Sequence, residues 1–159
     1  MRTNILLGAV VLVSLAAAAV AAPEKKAALL EQSAEKAVAD DLQAMQGRWV
    51  RQYANRQGAV FRVERDVDGG TDTLTEFDAN GNVVHSHGST FQLKHDGGVR
   101  VLTFSNLTVT AGPHNGLQQP APASFLYRLE GETMFEVWGL LEGDRRPPSI
   151  IVWQRPKKP

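Results

Sequence analysis

The chain has 159 residues, with 17 Lys and Arg against 17 Asp and Glu, and it contains no cysteine. The balanced charge excludes a global electrostatic attraction to nucleic acid, and the missing cysteines exclude disulfides, thiol catalysis and lipid attachment at a cysteine. The length suits one domain with its own hydrophobic core and is short for two.

The N-terminus has the pattern of a signal peptide, which we predict to span residues 1–21. Arg2 precedes an uncharged run from Ile5 to Ala22 that is rich in Leu, Val and Ala. Ala19-Val20-Ala21 then provides a site of the small-x-small type that signal peptidases cut. Cleavage there removes Arg2, leaving 16 basic and 17 acidic residues, and leaves no membrane-spanning segment. We therefore expect an exported protein of the periplasm or the extracellular space.

An amphipathic helix is predicted over residues 22–46. This segment is rich in Ala, Glu, Lys, Leu and Gln, which favour helices, and its apolar residues recur every three or four positions. Gly47 follows the last apolar position and can adopt the left-handed conformation that ends a helix. The apolar positions are Leu30, Ala34, Val38, Leu42 and Met45.

Beyond Gly47 the pattern changes to short runs rich in Val, Phe, Thr and Tyr, separated by turn residues such as Asn80-Gly81. Such runs predict antiparallel hairpins, and eight of them without intervening helices favour an all-β, up-and-down barrel over residues 47–159. We predict strands at 48–56, 59–67, 71–78, 82–95 with a break near Gly88, 99–110, 123–130, 133–141 and 149–155.

The alternation within the strands offers several candidate faces for the barrel interior, without deciding which of them points inward. An eight-stranded barrel either encloses one small ligand or is filled by its own side chains. Both outcomes remain open at this point. The candidate sets are Phe91 with Leu93, Val101 with Thr103, Phe125 with Tyr127, and Met134 with Glu136 and Trp138.

Gly47-x-Trp49 at the start of the first strand predicts a structural plug. A glycine beside a large indole lets the ring lie against backbone. Arg155 lies on the last strand, and if that strand pairs with the first, its guanidinium can stack on Trp49 with about 0.5 to 2 kcal/mol of attraction. We predict Gly47, Trp49 and Arg155 as the group that closes one end of the barrel.

These residues carry a family resemblance. The segment "MQGRW" on the first strand, "YRLEGET" with Tyr127, Gly131 and Thr133, and "IVWQR" near the end resemble a lipocalin-like, calycin-type small β-barrel domain of uncharacterised bacterial exported proteins. The resemblance spans roughly residues 40–158 and implies a barrel closed by a Trp-Arg pair. That group has no assigned reaction, and the chain lacks the Thr-Asp-Tyr type motif of true lipocalins, so ligand transport does not follow from the likeness.

His85 and His87 are the strongest metal candidates in the sequence. Two residues apart on a strand, they share a face and can both offer imidazole nitrogen to zinc or copper. A metal site needs a third ligand that the spacing does not supply, and a hydrogen-bonded or solvent-facing pair is the ordinary interpretation. We therefore predict no bound metal and no cofactor, with His85 and His87 kept as weak candidates.

No catalytic constellation stands out. The serines lack the Gly-x-Ser-x-Gly pattern of an activated nucleophile, and there is no glycine-rich phosphate loop. Glu130, Glu132 and Glu136 surround a predicted hairpin, where a charged outer surface is the usual interpretation. The arginines do not alternate with aromatic residues in the manner of a nucleic-acid interface. We expect neither an enzyme nor a nucleic-acid-binding protein.

Two functions of different kinds remain. The first is an exported, non-catalytic lipocalin-like module that binds a small apolar or amphipathic molecule inside its barrel. The second is a cell-envelope module with a filled barrel that binds another protein through its outer surface. A cavity inside the barrel distinguishes the first from the second.

Overall fold

The computed structural model describes residues 21–119, 121–141 and 147–157. The predicted signal peptide lies almost entirely outside these residues. One helix, α1, spans Ala21–Met45, close to the predicted bounds of 22–46. The chain divides between residues 34 and 35 into two compact units. Residues 21–34 of α1 belong to the first unit, and the last turns of α1 belong with all the strands to the second.

Among the residues that the structure describes, nine strands follow α1, and eight of them match the predicted set. The additional strand, β6, is two residues long and lies within the proline-rich segment between β5 and β7. The bounds are β1 Gly47–Ala54, β2 Val60–Asp68, β3 Thr71–Phe77, β4 Val83–Asp96, β5 Val99–Ala111, β6 Gln118–Gln119, β7 Ala123–Glu130, β8 Thr133–Trp138 and β9 Ser149–Gln154.

The strands form a closed antiparallel barrel, which confirms the predicted fold class. Each strand pairs with its neighbour in sequence from β1 to β5, then β5 pairs with β7, β7 with β8 and β8 with β9. Pairing of β9 with β1, at Val50 and Gln154, closes the ring. The short β6 pairs only with β5 among the described strands. Closure satisfies backbone hydrogen bonds that an open sheet would expose at its edges.

The strand break predicted near Gly88 appears as a local irregularity within one continuous strand. The pairing of β4 with β5 shifts between Ser86 and His87 and again between Gly88 and Thr90. An extra residue on one strand bends it and increases its twist. β4 therefore bends at this point and continues to pair with β5 on both sides of the irregularity.

The two ends of the barrel differ. At the closed end, where β2, β4, β7 and β9 finish, the last turn of α1 packs with Leu42 and Met45 against the core. At the opposite end, where β1, β3, β5 and β8 finish, the interior is partly open. We call this opposite end the mouth.

The core fills the half of the barrel next to the closed end. Inward residues alternate along each strand, as a barrel with a buried inside face requires. On β5 the inward face contains Leu102 and Phe104, so the candidate pair Val101 and Thr103 lies on the other face of that strand. The most deeply buried core side chains are Met45, Trp49, Val63, Leu102, Met134 and Trp153.

One further feature concerns membranes. Among the helical residues that the structure describes, no segment combines the length and apolar character needed to cross a lipid bilayer.

Candidate ligand-binding site

The mouth half of the barrel holds a cavity of about 330 Å³. Pockets that bind small organic ligands run from about 300 to 1,000 Å³, so this one suits a small molecule. Its apolar lining is rich in aromatic rings, which offer large contact areas to an apolar ligand. The apolar lining residues are Leu74, Phe104, Leu107, Ala123, Phe125, Trp138, Ile151 and Trp153.

The floor of the cavity is a buried charged network. The Nε of Arg65 lies 2.8 Å from Oδ2 of Asp72, and its Nη1 donates to Oε1 of Glu136. The indole Nε1 of Trp153 donates to the other oxygen of Glu136 at 2.9 Å, and Ser89 Oγ donates to Asp72 at 3.2 Å. The three charged side chains are each at least 93% buried. The network separates the cavity from the filled half of the barrel.

Electrostatics in this floor favour a charged guanidinium. Burial alone lowers the pKa of Arg65, but the carboxylates of Glu136 and Asp72 outweigh it and raise that pKa above its ordinary value. Burial raises the pKa of Asp72 more than the neighbouring Arg65 lowers it. Arg65 also lies over the ring of Trp153, 4.4 Å from its centroid, which adds a cation–π contact.

Glu136 corrects one of the sequence interpretations. The acidic residues around the β7–β8 hairpin were predicted to form a charged outer surface. Glu130 and Glu132 are exposed, but Glu136 is 99% buried and points into the barrel. Its position on the same face as Met134 and Trp138 was the signal that pointed to the interior, because side chains two apart on a strand share a face.

One wall of the cavity carries a second polar pair. The hydroxyl of Tyr53 donates to Oε1 of Glu76 at 2.5 Å. Burial, followed by this hydrogen bond, raises the pKa of Tyr53 to about 12. Tyr53 is therefore a neutral donor at physiological pH, and Glu76 has one oxygen already committed to a protein partner.

His85 and His87 line the cavity and contact each other. Nε2 of His85 lies 3.0 Å from Nδ1 of His87, a hydrogen bond in which one ring donates and the other accepts. Among the residues that the structure describes, no three His, Asp or Glu side chains are grouped closely enough to hold a metal ion. The pair thus has the hydrogen-bonded arrangement that was the ordinary alternative to metal ligation.

His87 gives the protein a predicted pH dependence. Burial, then the nearby His85 and Arg65, lowers the pKa of His87 from 6.5 to about 4. Between those values the unfolded chain binds a proton that the folded protein does not, so the free energy of unfolding falls as the pH drops through this window. We expect His87→Gln to make that decline shallower in urea unfolding measured at pH 7, 5.5 and 4.5.

The matched control for this prediction is His114→Gln, in the exposed segment before β6. We expect it to reproduce the pH profile of the unsubstituted protein. Equal profiles for all three proteins would show that His87 binds its proton with the same affinity in the folded and unfolded chains.

Arg51 is the cation of the cavity that lacks a counter-charge. It lies on β1 between Trp49 and Tyr53, on the inward face, and its guanidinium is 5.1 Å from the ring centroids of both Tyr53 and Trp153. Among the described residues, no carboxylate oxygen lies within 4.0 Å of its nitrogens. Its Nε is buried without a hydrogen-bond partner, and burial lowers its pKa.

The closed end brings together Gly47, Trp49 and Arg155. The Arg155 guanidinium lies 3.9 Å from the centroid of the Trp49 ring, and the Trp49 side chain is completely buried. Gly47 has a φ of +88°, and a Cβ there would lie 3.2 Å from Nη1 of Arg155. Glycine is therefore favoured by its left-handed backbone conformation, and a side chain there would also crowd the guanidinium of Arg155.

This group also ends α1. The indole Nε1 of Trp49 donates to the carbonyl of Met45 at 2.8 Å, and Nη2 of Arg155 donates to the carbonyl of Ala44 at 2.7 Å. Nη1 of Arg155 donates to the carbonyl of Arg48 at 3.2 Å. The carbonyls of a final helical turn lack intrahelical partners, and a cation there also interacts favourably with the helix dipole. One arginine thus joins α1, β1 and the end of β9.

A second polar cluster, which the sequence analysis did not find, attaches α1 to the barrel. Asp41 accepts hydrogen bonds from Tyr127 Oη and from His95 Nε2, each at 2.8 Å, and Arg100 Nη1 lies 3.4 Å from its other oxygen. Burial and the bond to Asp41 raise the pKa of Tyr127. No local pattern marks this cluster, because its members come from α1, β4, β5 and β7.

The structure assigns this chain to a fold class, and comparison with known proteins adds no family. Over its described residues, the chain forms a closed antiparallel barrel of eight strands with one preceding helix. No family model matches it, and neither a curated protein nor a solved structure gives a significant match.

Proposed function

We propose that this chain is an exported, non-catalytic, lipocalin-like module that binds a small amphipathic molecule in the mouth half of its barrel. The observation that carries the proposal is the cavity of about 330 Å³ with its aromatic lining. Apolar walls with a few placed polar groups are typical of sites for small ligands. The cavity favours this function over the cell-envelope interaction module, which requires a filled barrel.

The polar groups of the cavity support binding over catalysis. Both oxygens of Glu136 accept hydrogen bonds from protein donors, and Glu76 accepts one from Tyr53. His85 and His87 bond to each other. A general base must present a free acceptor atom to the substrate, and Glu136, the most deeply buried carboxylate of the cavity, has both oxygens held by protein donors.

The family resemblance supports the export and the lipocalin-like parts of the proposal. The residues that carry it, Gly47, Trp49 and Arg155, lie together at the closed end. A stacked pair at one end leaves the other end available as an entrance. Localisation to the periplasm or the extracellular space follows from the signal-peptide pattern of residues 1–21.

The test is calorimetric titration of the protein with 2-naphthamide, an uncharged molecule with a flat apolar body and one polar group. We expect saturable one-to-one binding that Ala123→Phe abolishes, because Ala123 lines the cavity and a phenyl ring there fills it. Ala54→Phe, at the exposed end of β1, is the matched control and should bind normally. Binding that survives Ala123→Phe, or no binding at millimolar concentrations, would contradict the proposal.

A further inference from the structure

Arg51 points to the chemistry of the ligand. Leaving a charge partly buried without a counter-ion or hydrogen-bond partner carries a large desolvation cost, so such groups are normally paired. In the same barrel Arg65 has two carboxylates, whereas Arg51 has none within 4.0 Å among the described residues. Both arginines line the cavity. Arg51 is therefore in the position of a binding group whose partner arrives from outside the chain.

We propose that the ligand is a small organic monocarboxylate, whose apolar body contacts the aromatic walls and whose carboxylate pairs with the guanidinium of Arg51. This inference rests on the proposed function, because it names the class of molecule that the cavity takes.

The neighbouring charges favour a single negative charge on that ligand. Glu136 and Glu76 are close enough to Arg51 to raise its pKa, although burial outweighs them. Their fields attract the guanidinium but repel an incoming anion. The two negative charges of a phosphate dianion would each be repelled by these carboxylates. A carboxylate carries one negative charge, and its planar geometry matches the donors of a guanidinium.

The surroundings of Arg51 also disfavour a cationic ligand. A ligand ammonium group would need free carboxylate oxygens, but both oxygens of Glu136 are occupied by Arg65 and Trp153, and one oxygen of Glu76 is occupied by Tyr53. The rings of Tyr53 and Trp153 lie beside Arg51 itself, 5.1 Å from its guanidinium carbon. The fixed positive charge of Arg51 would repel a second cation at this position.

The test compares 2-naphthoate with 2-naphthamide, which have the same ring and nearly the same shape but differ in charge at neutral pH. Hydrogen bonds to charged groups contribute about 1.5 to 3 kcal/mol, equivalent to roughly 10- to 150-fold in affinity. We expect naphthoate to bind the unsubstituted protein at least about tenfold more tightly than naphthamide. Arg51→Gln should remove this preference while leaving naphthamide affinity within about threefold.

Arg128→Gln is the matched control, since Arg128 lies on an exposed outer face with its side chain 71% accessible. It should leave the affinities for both compounds unchanged. Circular dichroism and the urea unfolding midpoint of Arg51→Gln establish that the barrel remains folded.

The possible failures are distinguishable. If both compounds bind with equal affinity, or if Arg51→Gln weakens both equally, the carboxylate assignment is wrong while the ligand-binding function stands. If neither compound binds, both proposals fail. A preference for naphthoate that persists in Arg51→Gln would also overturn the assignment, because another cation would then be responsible.

Discussion

Glu136→Ala should destabilise the protein by about 3 to 5 kcal/mol, the cost of breaking a buried ion pair by removing one partner. The substitution deprives Arg65 of one of its two carboxylates and leaves Trp153 Nε1 without its acceptor. The Arg65 side chain is 93% buried, so its guanidinium has little contact with solvent, and any water that replaces the lost carboxylate must come through the cavity. The measurement is the free energy of unfolding from urea denaturation monitored by circular dichroism.

Two further variants test whether the loss of stability in Glu136→Ala comes from the buried ion pair. Glu130→Ala makes the same substitution at an exposed position and should change stability by no more than about 0.5 kcal/mol. Glu136→Gln keeps an acceptor for Trp153 but removes the charge beside Arg65, so an intermediate loss is expected. A loss below about 1 kcal/mol for Glu136→Ala would show that the network contributes little to stability.

Trp49→Ala should also cost about 3 to 5 kcal/mol, as expected for truncating a fully buried tryptophan. It leaves a cavity at the closed end, removes the hydrogen bond to Met45 and removes the ring beneath Arg155. Domains of this size are stable by about 5 to 15 kcal/mol, so the variant should unfold at much lower urea concentration. The urea midpoint is the measurement, and Trp49→Phe, which retains a ring, should lose less.

The stacking itself is separable from the packing. A double-mutant cycle of Trp49→Leu with Arg155→Gln should give a coupling energy of about 0.5 to 2 kcal/mol. Gln retains a donor for the carbonyls of Ala44 and Arg48 but carries no cation. Additive effects of the two substitutions would mean that Arg155 contributes through its hydrogen bonds and not through the indole.

The strands were predictable because their signals are local. Alternation within each strand and turn residues such as Asn80-Gly81 predicted the eight long strands, and eight consecutive antiparallel strands favour closure. β6 was not predicted because a strand of two residues is too short to show the alternation of apolar and polar residues. It lies between the predicted strands 99–110 and 123–130, in a segment rich in Pro and Gly, and among the described strands it pairs with β5.

The closed end was predicted better than the cavity. Gly47, Trp49 and Arg155 carry strong individual signals, since Gly and Trp have distinctive roles and Arg155 follows the final strand. The cavity depends on Arg51 and Arg65, which look in the sequence like ordinary strand residues with charged side chains. Their burial follows from the register of several strands at once, which no short segment encodes.

By itself the sequence determined the helix, the succession of strands, their closure into a barrel and the group at its closed end. Only the tertiary structure decided which face of β5 points inward, that Glu136 is buried with Arg65, and that Arg51 lines a cavity without a counter-ion. Short-range periodicity and turn chemistry depend on neighbours in the chain. Burial and charge pairing depend on residues brought together from distant strands, such as Arg65 and Glu136, which lie 71 positions apart.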